Sequence, residues 1–129
     1  MSCQNYPLPL LITMILIMHQ YDCTHIDELS LIKEKSFYKP QVLFKHSTRC
    51  GTSSLALKRL ERTTEPPAAD FYLLDLIRHR NISDKIADLF DVDHASPQVL
   101  LIKNGECHYE ESHLGIDMHE LAGLITSLN

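Results

Sequence analysis

The fold of this chain is decided by one stretch, residues 44–53, which reads Phe44-Lys45-His46-Ser47-Thr48-Arg49-Cys50-Gly51-Thr52-Ser53. The apolar run 42–44 leads into this stretch and indicates a short buried strand. A helical pattern follows, with Ala56 and Leu60 on one face and charged residues on the other. Cys50 is therefore predicted to lie where a strand ends, the chain turns and a helix begins.

A cysteine at the start of a helix is in an electropositive environment. The first N–H groups of a helix have no internal partners, and the aligned peptide dipoles place partial positive charge there. We therefore expect the sulfur of Cys50 to be a thiolate rather than a thiol. The residues expected to support this thiolate are Arg49, Gly51, Thr52 and Ser53.

The spacing of Cys50 and Ser53 suggests a redox motif with one cysteine. Ser53 stands where a second cysteine would complete a Cys-x-x-Cys pair. A serine hydroxyl does not attack sulfur at neutral pH, so this position cannot resolve a mixed disulfide on Cys50. Ser53 is instead expected to donate a hydrogen bond to the thiolate and to cap the helix loosely. The hypothesis is a thiol-exchange site with a single nucleophile.

Composition excludes several classes of partner. A chain of 129 residues forms one domain, and its net charge of −5 argues against a nucleic-acid surface or an anionic membrane partner. The four cysteines have no regular spacing and do not indicate a disulfide framework. We therefore expect a reducing compartment, and hence a cytoplasmic protein.

The N-terminal region is a strongly apolar run, residues 8–18, without Lys or Arg ahead of it. The run is shorter than the roughly 18 residues that a bilayer-spanning helix needs. Three interpretations stay open: a weak signal or anchor, a disordered tail, or a translation start at Met14 or Met18. In each case residues 1–22 are expected to lie outside the fold, and residues 23–129 to form the domain.

The remaining pattern predicts helices and strands in the order αβαβα, then ββα. Asn104-Gly105 indicates a two-residue hairpin turn, after which Cys107 and Tyr109 are expected to share one face of the last strand. Asp117-x-x-Glu120 is typical of a capped final helix. Two parallel strands joined by a helix, followed by a hairpin and a covering helix, predict an α/β sandwich.

This order resembles the thioredoxin fold, and the chain is most similar to the monothiol bacilliredoxins. The resemblance covers about residues 24–128, and the segments that carry it are the following: Phe44-Lys45-His46-Ser47-Thr48-Arg49-Cys50; Asp75-Leu76-Ile77; Arg80-Asn81-Ile82-Ser83; His94-x-Ser96-Pro97 continuing to Gly105; and Ser112-His113. It implies a thioredoxin-like fold with a four-stranded mixed sheet covered by helices on both faces.

The resemblance also implies a reaction. Cys50 would reduce mixed disulfides between client proteins and a low-molecular-weight thiol, with bacillithiol as co-substrate and no bound cofactor. Substrate binding is assigned to four residues, with Arg49 helping Lys45 to hold the carboxylates of bacillithiol: Lys45, His46, Ser96 and Pro97. Pro97 is expected to be a cis-proline that presents the backbone of Ser96 to the substrate.

Two other functions stay open. Cys50-Gly51-Thr52-Ser53 also matches the signature of monothiol glutaredoxins, which use glutathione or carry an iron–sulfur cluster. Alternatively, the fold serves as a binding module without catalysis. No Cys or His residues recur at zinc-site spacing, so no metal site is predicted. Cys107 is expected to pack as a small apolar residue, and Cys23 to be incidental or a distant resolving thiol.

Overall fold

The structure is a computed structural model that describes residues 21–62 and 67–129. The apolar run, its alternative start sites and most of the loop predicted at 63–69 lie outside these ranges. In these two ranges the strands are, in chain order, β1 Tyr21–Asp22, β2 Gln41–His46, β3 Asp70–Asp75, β4 Gln98–Lys103 and β5 Glu106–Ser112. The described helices are α1 Glu28–Lys35, α2 Gly51–Glu61, α3 Arg80–Phe90 and α4 Met118–Leu128, with a single 3-10 turn at His113–Gly115.

The strands form one mixed sheet in the order β1-β3-β2-β4-β5. Strands β1, β3 and β2 are parallel, and β4 and β5 are antiparallel to their neighbours. The predicted four-stranded mixed sheet is confirmed, and the two-residue strand β1 extends it at one edge. Strand β1 lies directly before residue 23, where the sequence analysis placed the start of the domain.

Helices cover both faces of the sheet, as predicted. Helices α2 and α4 pack on one face, where Phe44 and Leu60 are fully buried. Helices α1 and α3 pack on the other, around Leu43 and Ile86. Truncating such a buried leucine to alanine costs about 2–5 kcal/mol. Among residues 21–62 and 67–129, no helix is both long and apolar enough to cross a bilayer.

The C-terminal hairpin confirms one prediction and corrects another. Asn104 and Gly105 both have positive φ, 54° and 79°, as a two-residue turn requires. Beyond the turn, Cys107 pairs with Ile102 while Tyr109 pairs with Leu101, because the register shifts between those two β4 residues. Cys107 consequently packs on the α1/α3 face and Tyr109 on the α2/α4 face. The prediction that they share a face was wrong, because a bulge interrupts the alternation.

The final helix is capped at Asp117, as predicted. The Asp117 carboxylate accepts a hydrogen bond from the His119 N–H at 3.2 Å. Glu120 does not complete a reciprocal capping box; its carboxylate accepts from the Tyr109 hydroxyl instead. The Glu120 side chain therefore connects α4 to strand β5 of the hairpin and does not cap the first turn of α4.

Candidate active site

Cys50 lies between strand β2 and helix α2, as the sequence predicted. The Cys50 N–H donates to the carbonyl of Ser47 at 3.1 Å, which closes a tight turn directly after β2. The Cys50 backbone is extended, and its carbonyl accepts from the Ser54 N–H at 3.1 Å. Cys50 is therefore the N-cap residue of α2, with a partly exposed side chain.

The first turn of α2 contains no acidic residue, so nothing in it offsets the positive end of the helix dipole. The Cys50 side chain makes no capping hydrogen bond to α2. Cys50 therefore lies at the positive end of the helix dipole without a direct contact between its side chain and an N–H group of α2.

Ser53 is fully buried and holds the turn that presents Cys50. Its Oγ accepts from the Ser47 N–H at 3.0 Å and lies 2.7 Å from Nδ1 of His46. The hydroxyl thus joins the end of β2 to the first turn of α2. The sequence suggested that Ser53 would donate to the thiolate, but its partners in the structure are His46 and Ser47.

Lys45 does not lie where a ligand of Cys50 could contact it, contrary to the expectation from sequence. Its side chain is fully buried on the α1/α3 face, opposite to α2. The Lys45 ammonium donates to the carbonyl of Ser83 at 3.2 Å and lies 3.4 Å from Nδ1 of His94. Burial lowers the pKa of Lys45 to about 8, against a smaller opposing effect of Asp84.

His94 is the partner of Lys45 and begins the segment that leads to Pro97. Its Nδ1 also lies 3.2 Å from the hydroxyl of Ser83. Burial lowers the pKa of His94, and the nearby charges of Lys45 and Arg80 lower it further. A neutral imidazole can accept from the lysine, whereas an imidazolium would repel it.

His46 is buried at the end of β2, where its ring stacks on Phe44 with a centroid distance of 6.0 Å. The side chain is therefore fixed from two sides, by this stacking and by Ser53. Such an imidazole is a rigid part of the site rather than a mobile surface group.

The Ser96–Pro97 peptide bond is cis, as the resemblance implied. The last pair between β2 and β4 joins Lys45 to Gln98, so Pro97 lies one residue beyond it. Pro97 is therefore next to the end of β2, from which the Cys50 turn departs. The Ser96 hydroxyl is buried without a hydrogen-bond partner among the described residues.

The remaining predicted site residues are more exposed. Arg49 is exposed and directly precedes Cys50, so it can contact an anion from solvent. Thr52 is half-buried in the first turn of α2. A Cβ added at Gly51 would meet no atom within 4 Å, so glycine leaves this side open without being required there.

The other described cysteines are free thiols in apolar surroundings. Burial, with a contribution from Glu28, raises the pKa of Cys23 to about 12. Burial also raises the pKa of Cys107. The Cys23 thiol is therefore protonated at neutral pH, and burial disfavours the thiolate of Cys107. The fourth cysteine, Cys3, lies outside the described residues.

No cluster of three or more metal-binding side chains occurs in residues 21–62 and 67–129.

Sequence reasoning missed a pocket of about 280 Å³ beside the Cys50 turn. It is lined by Cys23, Thr24, His46, Thr48, Leu73, Asp75, Arg78 and His79. The polar residues that follow β3 in the sequence are a signal for it. The carboxyl ends of parallel strands meet at one edge of a sheet, and ligand-binding crevices form there.

A thioredoxin-type sheet with a cysteine at the start of α2 and a cis-proline before β4 defines a thiol redox protein. The family model described as "Monothiol bacilliredoxin BrxC" matches residues 22–121. The chain belongs to this family of monothiol bacilliredoxins.

Solved structures agree with the fold. A structure described as a candidate oxidoreductase with a thioredoxin fold shares 29% identity, with a TM-score of 0.71, covering 80% of this chain and 90% of that one. Thioredoxin from Malassezia sympodialis shares 19% identity, with a TM-score of 0.64 and coverages of 84% and 89%. Thioredoxin from Schistosoma mansoni shares 18%, with a TM-score of 0.63 and coverages of 84% and 94%.

Proposed function

We propose that this protein reduces mixed disulfides between client proteins and a low-molecular-weight thiol, through Cys50 alone. One observation carries the proposal: Cys50 caps the N-terminus of α2, while Ser53, three residues on, is buried and bonded to His46 and Ser47. This arrangement offers one nucleophile and no resolving partner within the motif.

In the first step the Cys50 thiolate attacks the small-thiol sulfur of the mixed disulfide. A Cys50–small-thiol disulfide forms, and the bond between the client and the small thiol breaks. The client sulfur leaves as a thiolate and takes a proton from solvent. The client is thereby reduced, and Cys50 is left carrying the small thiol.

The second step needs another molecule, because neither Ser53 nor the buried Cys23 provides a resolving thiolate. A second small thiol, as its thiolate, attacks the small-thiol sulfur on Cys50. Cys50 leaves as a thiolate, and the two small thiols leave as a symmetrical disulfide. A separate reductase would return that disulfide to thiols.

The name of the family points to bacillithiol as the small thiol, acting as co-substrate rather than as a bound cofactor. Clients would be bacillithiol-modified proteins in the cytoplasm. Arg49 and the backbone at Ser96–Pro97 are the contacts proposed for the bound mixed disulfide. The proposal is supported by the position of the cis-peptide beside the end of β2, from which the Cys50 turn departs, and we infer that the backbone of Ser96 pairs there with a client backbone.

The test offers one client protein with a single modified cysteine, carrying either bacillithiol or glutathione. Mass spectrometry follows whether the adduct moves to Cys50 and whether the client appears reduced. We expect transfer from the bacillithiol adduct in preference to the glutathione adduct. Cys50→Ser should abolish transfer, and Cys107→Ser should not. Transfer by Cys50→Ser would contradict the proposal.

A second candidate function is favoured by Cys50-Gly51-Thr52-Ser53, the monothiol glutaredoxin signature. In that function the protein would use glutathione or carry an iron–sulfur cluster. Anaerobic reconstitution with iron and sulfide tests it, because a bound cluster absorbs visible light. Stable visible absorption that is lost in Cys50→Ser would favour the carrier over the reductase.

A further inference from the structure

The pocket beside the Cys50 turn is formed at the edge where the parallel strands end. His46 and Asp75 are paired as the last residues of β2 and β3. The Leu76 N–H donates to the His46 carbonyl at 3.0 Å, which holds the two departing loops together. The loop after β2 leads to Cys50, and the loop after β3 carries Arg78 and His79. Ligands of α/β proteins bind in such crevices at the carboxyl ends of parallel strands.

The pocket is lined by a residue of the turn that carries Cys50. Thr48 lines it and stands two residues before Cys50. Two virtual Cα–Cα bonds span at most about 7.6 Å, and the Ser47–Cys50 turn shortens this distance further. The Cα atom of Cys50 therefore lies within about 7.6 Å of the Cα atom of a residue that lines the pocket.

The charged side chains of the lining are one cation and one anion, Arg78 and Asp75, accompanied by the imidazoles of His46 and His79. Asp75 Oδ1 accepts from the backbone N–H groups of Ile77 and Arg78, at 3.1 and 3.3 Å, so this carboxylate is fixed in place. The Cys23 thiol on the wall is protonated at neutral pH, because its pKa is about 12. Asp75 and Arg78 thus present a negative and a positive charge on one loop, which suits a ligand that carries both a positive and a negative charge.

We propose that this pocket binds the head group of the small thiol, and that the head group is zwitterionic. Its carboxylate pairs with Arg78 and accepts from His79, and its ammonium pairs with Asp75. This inference rests on the proposed function, and it assigns to the pocket the ligand binding that the sequence had assigned to Lys45.

The test uses a client protein modified in turn with four thiols of similar size. Cysteine gives a zwitterionic adduct, cysteamine a cationic one, 3-mercaptopropionate an anionic one and 2-mercaptoethanol a neutral one. We expect kcat/KM for release of the client to be highest for the cysteine adduct, about tenfold above each singly charged adduct, which corresponds to one additional charge-assisted contact, and lowest for the neutral adduct.

The four adducts also differ in intrinsic reactivity. This difference cancels when a variant and the wild type are compared on the same adduct, so the variants report binding alone. Arg78→Gln should slow release several-fold only for the two adducts that carry a carboxylate. Asp75→Asn should slow release only for the two that carry an ammonium, since an asparagine oxygen still accepts from the same backbone N–H groups. Arg80→Gln is the matched control, because Arg80 is exposed nearby but does not line the pocket.

A binding measurement keeps this inference apart from the proposed function. S-methylcysteine, its decarboxylated analogue and its deaminated analogue are titrated into Cys50→Ser, and the amide NMR signals of Thr48, Arg78 and His79 are followed. The pocket is supported if the shifts saturate at a lower concentration of S-methylcysteine than of either analogue. This result would stand even if wild-type protein released no client and the proposed function failed. Equal release of all four adducts, or shifts that do not differ among the analogues, would overturn the inference.

Discussion

The hydroxyl of Ser53 lies 2.7 Å from Nδ1 of His46, at the position where a dithiol protein would have its second cysteine. The same oxygen accepts from the Ser47 N–H at 3.0 Å. The serine therefore has a structural function in this chain, since it connects the last residue of β2 to the first turn of α2. Both partners belong to the segment that positions Cys50.

Replacing this serine should destabilise the protein. In Ser53→Ala the Ser47 N–H loses its acceptor, and Nδ1 of the buried His46 ring loses its contact with the hydroxyl. We expect this loss to lower the free energy of unfolding by about 1–3 kcal/mol. Urea unfolding followed by circular dichroism measures the change. Ser54→Ala, at the half-buried neighbouring position, is the control and should change stability by less than about 0.5 kcal/mol. Equal effects of the two substitutions would contradict the assigned contacts.

Restoring a cysteine at this position should change how the adduct on Cys50 is resolved. Ser53→Cys creates a Cys-x-x-Cys pair across one helical turn, so the second thiolate can attack Cys50 and release the small thiol. We expect single-turnover release without added thiol, detected by mass spectrometry as an intramolecular disulfide. An adduct that persists on Cys50 as long as it does in wild type would contradict this geometry.

The described cysteines should differ sharply in reactivity. Cys50 is partly exposed at a helix N-terminus, whereas the pKa of about 12 for Cys23 leaves only about one thiol in 10⁵ ionised at pH 7. Burial raises the pKa of Cys107 as well. We expect iodoacetamide at pH 7 to modify Cys50 first in the native protein, as peptide mapping would show. Modification of Cys23 at the same rate as Cys50 would contradict the burial described for it.

Lys45 should make stability depend on pH in the alkaline range. The pKa of Lys45 is about 8 in the folded protein, against 10.5 for an ordinary lysine in the unfolded chain. Between pH 8 and 10.5 the folded state therefore binds fewer protons than the unfolded chain. The free energy of unfolding contributed by this group therefore rises with pH from about 8 to 10.5, and does not change below pH 8.

Urea unfolding across that interval checks this prediction. Lys45→Met keeps a side chain of similar length without the titrating group and should remove the rise. Lys85→Met, on the exposed side of α3, is the control and should retain it. Burial of the Cys23 thiol acts in the opposite direction at the upper end of this interval, so the test is the difference between wild type and Lys45→Met. A difference that does not rise between pH 8 and 10.5 would show that burial does not lower the pKa of Lys45.

Much of the fold follows from local signals. The apolar run before Cys50, the helical spacing after it and Asn104-Gly105 each specify an element within a few residues, because backbone propensity and turn geometry act over short distances. The place of Cys50 between β2 and α2 is predictable in the same way. The cis bond at Pro97 was implied by the resemblance and not by local propensity.

Other features were decided only by the tertiary structure. Alternation along β2 sets Lys45 on the opposite face from His46, but only packing against α3 shows that the lysine is buried on Ser83. The bulge that separates Cys107 from Tyr109 depends on register with β4. The pocket at Asp75 and Arg78 exists because β2 and β3, far apart in the chain, end at the same edge of the sheet. Local sequence specifies elements; cross-strand register and long-range packing decide which side chains meet.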